Sequence, residues 1–195
     1  MDDCSTDQTW KILEELAARL PELLPIQNES EHGYGRAVIR GLDCMQGDAA
    51  VIMMADESDD CRDVVRYWEK LNEGYDCVFG SRFCDGGTMQ GPTKRRIISR
   101  GGTALTNLLL GTRMQDMTSG FEMFSRSALQ EVLDKGIHSR AHFFQTEIRA
   151  HCRRLRVAEV PIRYRVTSNS VNRRVVIDAL ANLGRLFRLR LAGRL

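Results

Sequence analysis

The chain has 195 residues, 43% of them hydrophobic and 28% charged, with a formal net charge of +2. That length suffices for one domain with a sizeable core, and the near balance of charge, with no basic-aromatic motif, excludes nucleic acid as a partner class. No apolar run approaches the roughly 20 residues that cross a bilayer, and no secretory leader or internal repeat is evident. The six cysteines lack C-x-x-C spacing and read as reduced cytosolic thiols.

In chain order, DDCSTDQT at residues 2–9 crowds carboxylates and hydroxyls before a helix, which suits an N-cap or a ligand grip at a strand end. Trp10, Leu13, Leu16, Ala17 and Leu20 repeat at helical spacing over 9–20, capped by Thr6 or Asp7, and Pro21 and Pro25 break the run. A helix follows over 33–46, then a buried strand over 49–56 (AAVIMMAD), a helix over 63–74 and a second buried strand over 75–83. A Gly-rich basic loop is expected over 84–96 and a helix over 97–111. SGFEMFSRSALQEVL passes from strand to helix, 143–155 reads as helical, 156–166 alternates as one strand, and 172–191 forms a last helix. Alternating helices and strands imply an α/β fold with a mostly parallel sheet, whose ligands sit beyond the carboxyl ends of the strands. That edge would gather residues 2–7, 56–60 and 80–83.

Taken together, DDCSTDQT, GYGRAVIRGL, MMADESDD, VFGSRF, DMTSGFEMFSR and AEVPIRYR resemble, in order, motifs of glycosyltransferase family 2, and among its members the dolichyl-phosphate mannose synthases and related polyprenyl-phosphate sugar transferases. The resemblance implies a GT-A fold, a Rossmann-like nucleotide-sugar-binding mixed sheet flanked by helices. It implies transfer of a hexose, mannose or glucose, from a GDP- or UDP-linked donor to a polyprenyl or dolichyl phosphate, with inversion and with Mg²⁺ or Mn²⁺. Residues 1–171 would form the catalytic domain and 172–195 a basic amphipathic helix. By the same resemblance the first strand and helix of the family, with its P-x-Y-N-E type motif, are absent. The expectation is therefore an N-terminally truncated sheet with an exposed apolar edge, of poor stability alone or completed by an oligomer or another partner. A non-catalytic remnant that binds a partner or a nucleotide weakly is the alternative.

The resemblance also assigns roles. Asp2, Asp3, Ser5, Gly35, Ala55 and Asp56 would bind the nucleotide-sugar. Asp56, with Ser58, would hold the metal, a carboxylate at a strand end being costly unless it has such work. The position matching the first acid of the family's D-x-D is Met54, so Glu57, Asp59 or Asp60 would help; Asp59 and Asp60 equally suit a helix cap. Arg82, Arg96 and Asp116 join Asp56 as catalytic residues. Arg82, Arg96, Arg100, Arg165 and Ser170 would bind the acceptor phosphate, as guanidinium forks suit phosphate oxygens. Ser168 and Val171 depart from the family's R-x-x-G-x-S-K, where Arg173 and Arg174 could substitute. Glu147 and Glu159 read as structural anchors, and the four histidines as surface or packing residues. The last helix, apolar on one face and rich in arginine, suits either a membrane interface or docking on its own domain. The chain would then be cytoplasmic, with peripheral contact at the cytoplasmic face of a membrane.

Overall fold

The computed structural model describes residues 1–28, 32–166 and 173–195. Helices α1 (Thr9–Ala17) and α2 (Tyr34–Asp43) come first, then β1 (Ala49–Ile52), α3 (Asp63–Asn72), β2 (Cys77–Ser81), β3 (Thr88–Gln90) and α4 (Thr93–Leu110). β4 (Glu122–Ser125), α5 (Arg126–Asp134), α6 (Phe144–His151), a 3-10 turn (Cys152–Arg154), β5 (Val157–Pro161), β6 (Arg163–Arg165) and α7 (Arg173–Leu191) complete it.

The main sheet has the order β1-β4-β2-β5. β4 runs antiparallel to both β1 and β2, and β5 runs parallel to β2. Thus β1, β2 and β5 share a direction and β4 opposes them. This is the expected mixed sheet, with the carboxyl ends of β1, β2 and β5 on one edge. β2 is buried along its whole length, as its unbroken apolar run requires. One side of the sheet packs Phe79, Phe124, Phe144 and Ile148 with α2 and α5. The other packs Val78, Phe121, Met123 and Val160 around Tyr67 of α3.

Several boundaries differ from the periodicity, and the strand expected over 49–56 ends at Ile52. The expected loop over 84–96 contains β3, and α4 starts inside it. β3 pairs in parallel with β6 through Thr88–Arg163, Met89–Tyr164 and Gln90–Arg165. The single strand expected over 156–166 is divided, because Ile162 leaves β5: its N–H donates to Ser81 O and its carbonyl accepts from Thr88 N. Residues 143–155 tighten from α-helix to the 3-10 turn at Cys152. The cap of α1 differs too. Gln8 holds the N-cap position, and Asp7 accepts from Thr9 N at 2.9 Å.

α6 is buried over its full length and α7 lies across it. Leu183 and Leu186 of α7 enter a cluster with Leu110, Phe143 and Ala150. Arg190 donates to the carbonyls of Leu108 and Leu109 at 2.7 and 2.8 Å, covering orphan groups at the carboxyl end of α4. Gly111 ends that helix in the left-handed region, φ +69°. Glu147 anchors this corner, accepting from His138 N and Ser139 N at 3.0 and 2.8 Å and pairing with Arg185.

Apolar side chains stay uncovered on several elements. β1 lies at the sheet edge with Val51 and Met53 exposed; α1 buries none of its residues and leaves Ile12 and Leu16 exposed, with Leu20 and Leu24 just beyond. On α4, Ile97, Ile98, Leu105 and Leu108 share one side by helical spacing, and on α7 Val176, Ile177 and Leu180 do so. All are exposed.

His151 is 4% exposed, and neither of its ring nitrogens has a hydrogen-bond partner. Burial, then the charges of Lys135, Arg185 and His138, push its pKa down to about 4. The unfolded chain therefore binds more protons between pH 6.5 and 4, and stability falls as pH drops through that window. Acidification from pH 7 to pH 5 is expected to cost about 2 kcal/mol through this residue. Urea titrations should show that the His151→Leu variant lacks this part of the acid sensitivity.

Candidate active site

The site forms where the carboxyl ends of β1 and β2 meet the loop that leads into β4. β2 delivers Arg82, which is 6% exposed. Its guanidinium donates through Nε to Asp116 Oδ2 at 2.7 Å and through Nη2 to Asp116 Oδ1 at 2.8 Å, and Nη2 also donates to Thr118 Oγ1 at 2.5 Å. The backbone N–H of Arg82 donates to the same carboxylate at 3.1 Å. Burial raises the Asp116 pKa, but the Arg82 hydrogen bonds and charge outweigh it and hold the carboxyl below its usual range. The loop is fixed from behind: Glu159 accepts from Gln115 N and Asp116 N at 2.7 and 2.9 Å, and Thr103 of α4 accepts from Met117 N at 3.1 Å. Glu159 is thus an anchor, as expected from the sequence.

Arg82 is also flanked by aromatic rings. Its Cζ lies 5.2 Å from the centroid of Phe83 and 5.3 Å from that of Tyr164, and Arg100 of α4 lies 5.0 Å from Phe83. Phe83 therefore has two guanidinium groups within reach of its ring. Arg96 is exposed on α4, one helical turn before Arg100. The expectation that Arg82 offers its fork to a phosphate needs correction. That fork is spent on Asp116, leaving the Nη1 edge.

At the end of β1 the chain turns through Ala55 and Asp56, both exposed, and Glu57 takes φ +58°. Asp56 Oδ1 accepts from Ser58 N at 3.0 Å. Ser58 is 2% exposed, with an unpartnered hydroxyl, and its carbonyl accepts from Arg165 N at 3.1 Å. Arg165 also approaches Glu57, at 3.9 Å. Asp59 keeps a buried, unpartnered Oδ1, and burial, then the charge of Asp56, raise its pKa to about 6 against the lowering effect of Arg82. Among the described residues no three His, Cys, Asp or Glu side chains converge as a metal cage. The donors here are nevertheless hard oxygens: two mutually repelling carboxylates and an orphan hydroxyl. A divalent cation completed by substrate oxygens fits that set. Met54, in place of a carboxylate, accepts from Tyr34 OH through Sδ at 2.7 Å.

The N-terminal cluster is more self-contained than its sequence suggests. Asp2 is 3% exposed and accepts from Ser5 N and Oγ and from Gln27 Nε2. Hydrogen bonds from Ser5 hold its carboxyl below the usual range. Asp2 and Ser5 thus organise their own turn. Asp3 accepts from Asn28 Nδ2 at 2.7 Å and from Gly33 N at 3.1 Å, tying the cluster to the start of α2. Gly35 has a packing role: a Cβ there would lie 2.9 Å from Ser139 O and 3.2 Å from Ala141 O. Cys4, where the family motif carries glycine, takes φ +57° and donates its thiol to Asn28 O at 2.7 Å. Ser170, Ser168 and Val171 lie outside the described residues.

Sequence reasoning passed over Tyr34, Phe83, Tyr164, Glu122 and Arg149. Glu122 carried a signal, since a charge inside an apolar strand demands a partner.

Residues 1–133 match the family model described as glycosyl transferase family 2. The chain belongs to this family. It is 29% identical over 171 residues to the polyprenol monophosphomannose synthase of Mycolicibacterium smegmatis, covering 84% of this chain and 64% of that protein. It is 29% identical over 194 residues to the undecaprenyl-phosphate mannosyltransferase of Micrococcus luteus, covering 95% of this chain and 79% of that one. Among solved structures, glucosyl-3-phosphoglycerate synthase from Mycobacterium tuberculosis superposes with a TM-score of 0.59 at 22% identity, covering 99% of this chain and 66% of that one. The fold is the GT-A fold, and the chain spans about two thirds of the length of that structure and of the mycobacterial synthase.

The Arg82–Asp116 pair is sealed from solvent, so removing one partner strands a charge. Asp116→Ala is expected to cost about 3–5 kcal/mol in urea denaturation. Arg62→Ala, which removes an exposed pair with Asp60, should leave the urea midpoint nearly unchanged.

Proposed function

We propose that this family 2 chain transfers a hexose from a nucleotide-sugar to a polyprenyl phosphate, with inversion at the anomeric carbon. The observation that carries this reading is the site's division by charge. The Asp56–Asp59 acids end β1, the Phe83 surface with Arg82 and Arg100 follows β2, and Tyr164 feels the charge of both. The acids suit a cation-neutralised diphosphate, and the arginines suit an anionic acceptor. The names of two relatives, a polyprenol monophosphomannose synthase and an undecaprenyl-phosphate mannosyltransferase, point the acceptor towards a lipid phosphate.

In this reading a phosphate oxygen of the acceptor attacks the anomeric carbon as the bond to the nucleoside diphosphate breaks. A phosphate monoester carries about −1.5 to −2 charge at pH 7 and needs no strong base to activate it. This agrees with a site in which Asp116 is committed to Arg82. Arg100, Arg96 and the Nη1 edge of Arg82 would orient the acceptor phosphate, and Arg165 would close on the donor side beside Glu57. Asp56 and Asp59 would hold Mg²⁺ or Mn²⁺, which supplies charge neutralisation to the leaving diphosphate.

The acceptor's chain would reside in a bilayer. Among the described residues no helix is long and apolar enough to cross one. The uncovered apolar stripes of α4 and α7 suit peripheral contact instead, since Lys94, Arg95 and Arg173 lie beside them for anionic headgroups. The cytoplasmic leaflet, rich in anionic lipid, is the surface that matches this charge.

Isothermal titration with GDP and UDP, with and without Mn²⁺, tests the donor half. The expected outcome is Mn²⁺-dependent binding of one nucleotide, weakened at least about tenfold in Asp56→Ala; binding of neither overturns the transferase reading and leaves the non-catalytic one. Sedimentation with anionic vesicles tests the acceptor half. Bound protein should fall at least about tenfold in an Ile98→Glu/Leu180→Glu variant, and equal binding by parent and variant removes the peripheral contact.

A further inference from the structure

Arg149 is fully buried in the last turn of α6. Its partners are unusual for a core ion pair. Nε donates to Glu122 Oε1 at 2.8 Å, but Glu122 Oε2 has no partner, so carboxylate and guanidinium do not meet fork to fork. The guanidinium turns its remaining donors to backbone carbonyls. Nη1 donates to Asp116 O, and Nη2 to Ser119 O at 3.0 Å and, more weakly, to Gly80 O at 3.5 Å. Below it, the ring of Phe79 lies 4.4 Å from Cζ.

Those carbonyls share one context. Gly80 precedes Arg82 by two residues on β2. Asp116 is the acid that Arg82 grips. Ser119 follows Thr118, whose hydroxyl accepts from Arg82. The ends of two chain segments that sequence alone leaves independent are therefore held by one planar group. One oxygen of Glu122 stays unpartnered while the guanidinium reaches the carbonyls of both segments.

We propose that Arg149 is a positioning residue of the transfer reaction, fixing the Arg82–Asp116 pair by holding the backbone carbonyls of Gly80, Asp116 and Ser119 together. The proposal rests on the transferase reading above. Glu122 supplies the countercharge that permits a guanidinium at this depth.

Arg149→Lys tests it. The ammonium keeps a charge opposite Glu122 but lacks the planar fork that spans both segments. Two readouts are needed. The first is hydrogen exchange of the Arg82 Nε–H, followed by ¹⁵N NMR against the backbone amides of Val78 and Met123. The expected result is exchange at least about tenfold faster at Arg82 with the two core amides unchanged. The second is steady-state kinetics, with kcat lowered at least about tenfold and the donor KM within about twofold of the parent. Unchanged exchange at Arg82, or faster exchange shared equally by the core amides, overturns the proposal. A parent chain without transfer activity would remove the transferase reading, while the exchange data would still decide whether Arg149 holds the pair. If Arg149→Lys does not fold, the charge-free Glu122→Gln/Arg149→Met variant takes its place with the same outcomes. Failure of both to fold makes Arg149 a requirement of the fold and rejects the positioning role.

Discussion

A buried ion pair between Arg82 and Asp116 organises the working edge of this protein. Neither charge reaches much solvent, so each must be matched in place. The match has structural consequences in every direction. The end of β2, the loop before β4, the middle of β5 through Glu159 and the middle of α4 through Thr103 are all fixed around the pair. A shift in any of these elements would part the two charges in a low-dielectric setting, where separation is expensive. The edge is accordingly stiff where Arg82 sits, and its exposed chemistry lies in the rim: Asp56, Arg96, Arg100 and Glu57.

The two halves of that rim differ in character. The half at the end of β1 is acidic and incompletely satisfied, with Asp59 pushed up to about 6 and orphan oxygens on Ser58 and Asp59. The half at the end of β2 is basic, with Arg82 and Arg100 both within reach of the Phe83 ring. An incomplete, like-charged cluster lowers its energy by taking up a cation, whereas a cationic surface lowers its own by taking up an anion. A nucleoside diphosphate with its cation, set beside an acceptor phosphate, meets both needs at once.

Much of this was legible in the sequence, for a physical reason. Asp56 and Arg82 follow apolar runs, and a charge in that position must have a partner or a ligand. The helices of α2, α3 and α4 show in their periodicity, and the α/β class in the alternation of elements; the reversal of β4, which makes two of the three pairings antiparallel, does not show there. Other features leave no such trace. The partners of Arg149 are mostly carbonyl oxygens, which every residue possesses, so no side chain marks them. β3 and β6 are too short for a period of two to emerge, and they form because Ile162 bonds on both sides to the strand ends. The resemblance assigns Gly35 to the nucleotide-sugar site, but the sequence does not show why glycine is required there. The requirement comes from the backbone at Ser139 and Ala141, which only a fold can bring near. Asp2 likewise looked available, and is occupied by Ser5 a single turn away.

The reversed strand β4 sits between β1 and β2, and its pairing joins Ala49 to Ser125 and Cys77 to Phe124. Neighbouring partners in this sheet are thus far apart in the chain, and the last strand, β5, is made later still. As the polypeptide leaves the ribosome, β1 and β2 emerge without the strand that separates them, and Asp56 appears long before Arg165 can close on Ser58. The two sides of the rim therefore come together late in synthesis. Until β4 arrives, the apolar edges of β1 and β2 stay open, and the nascent chain depends on protection from other chains for that interval.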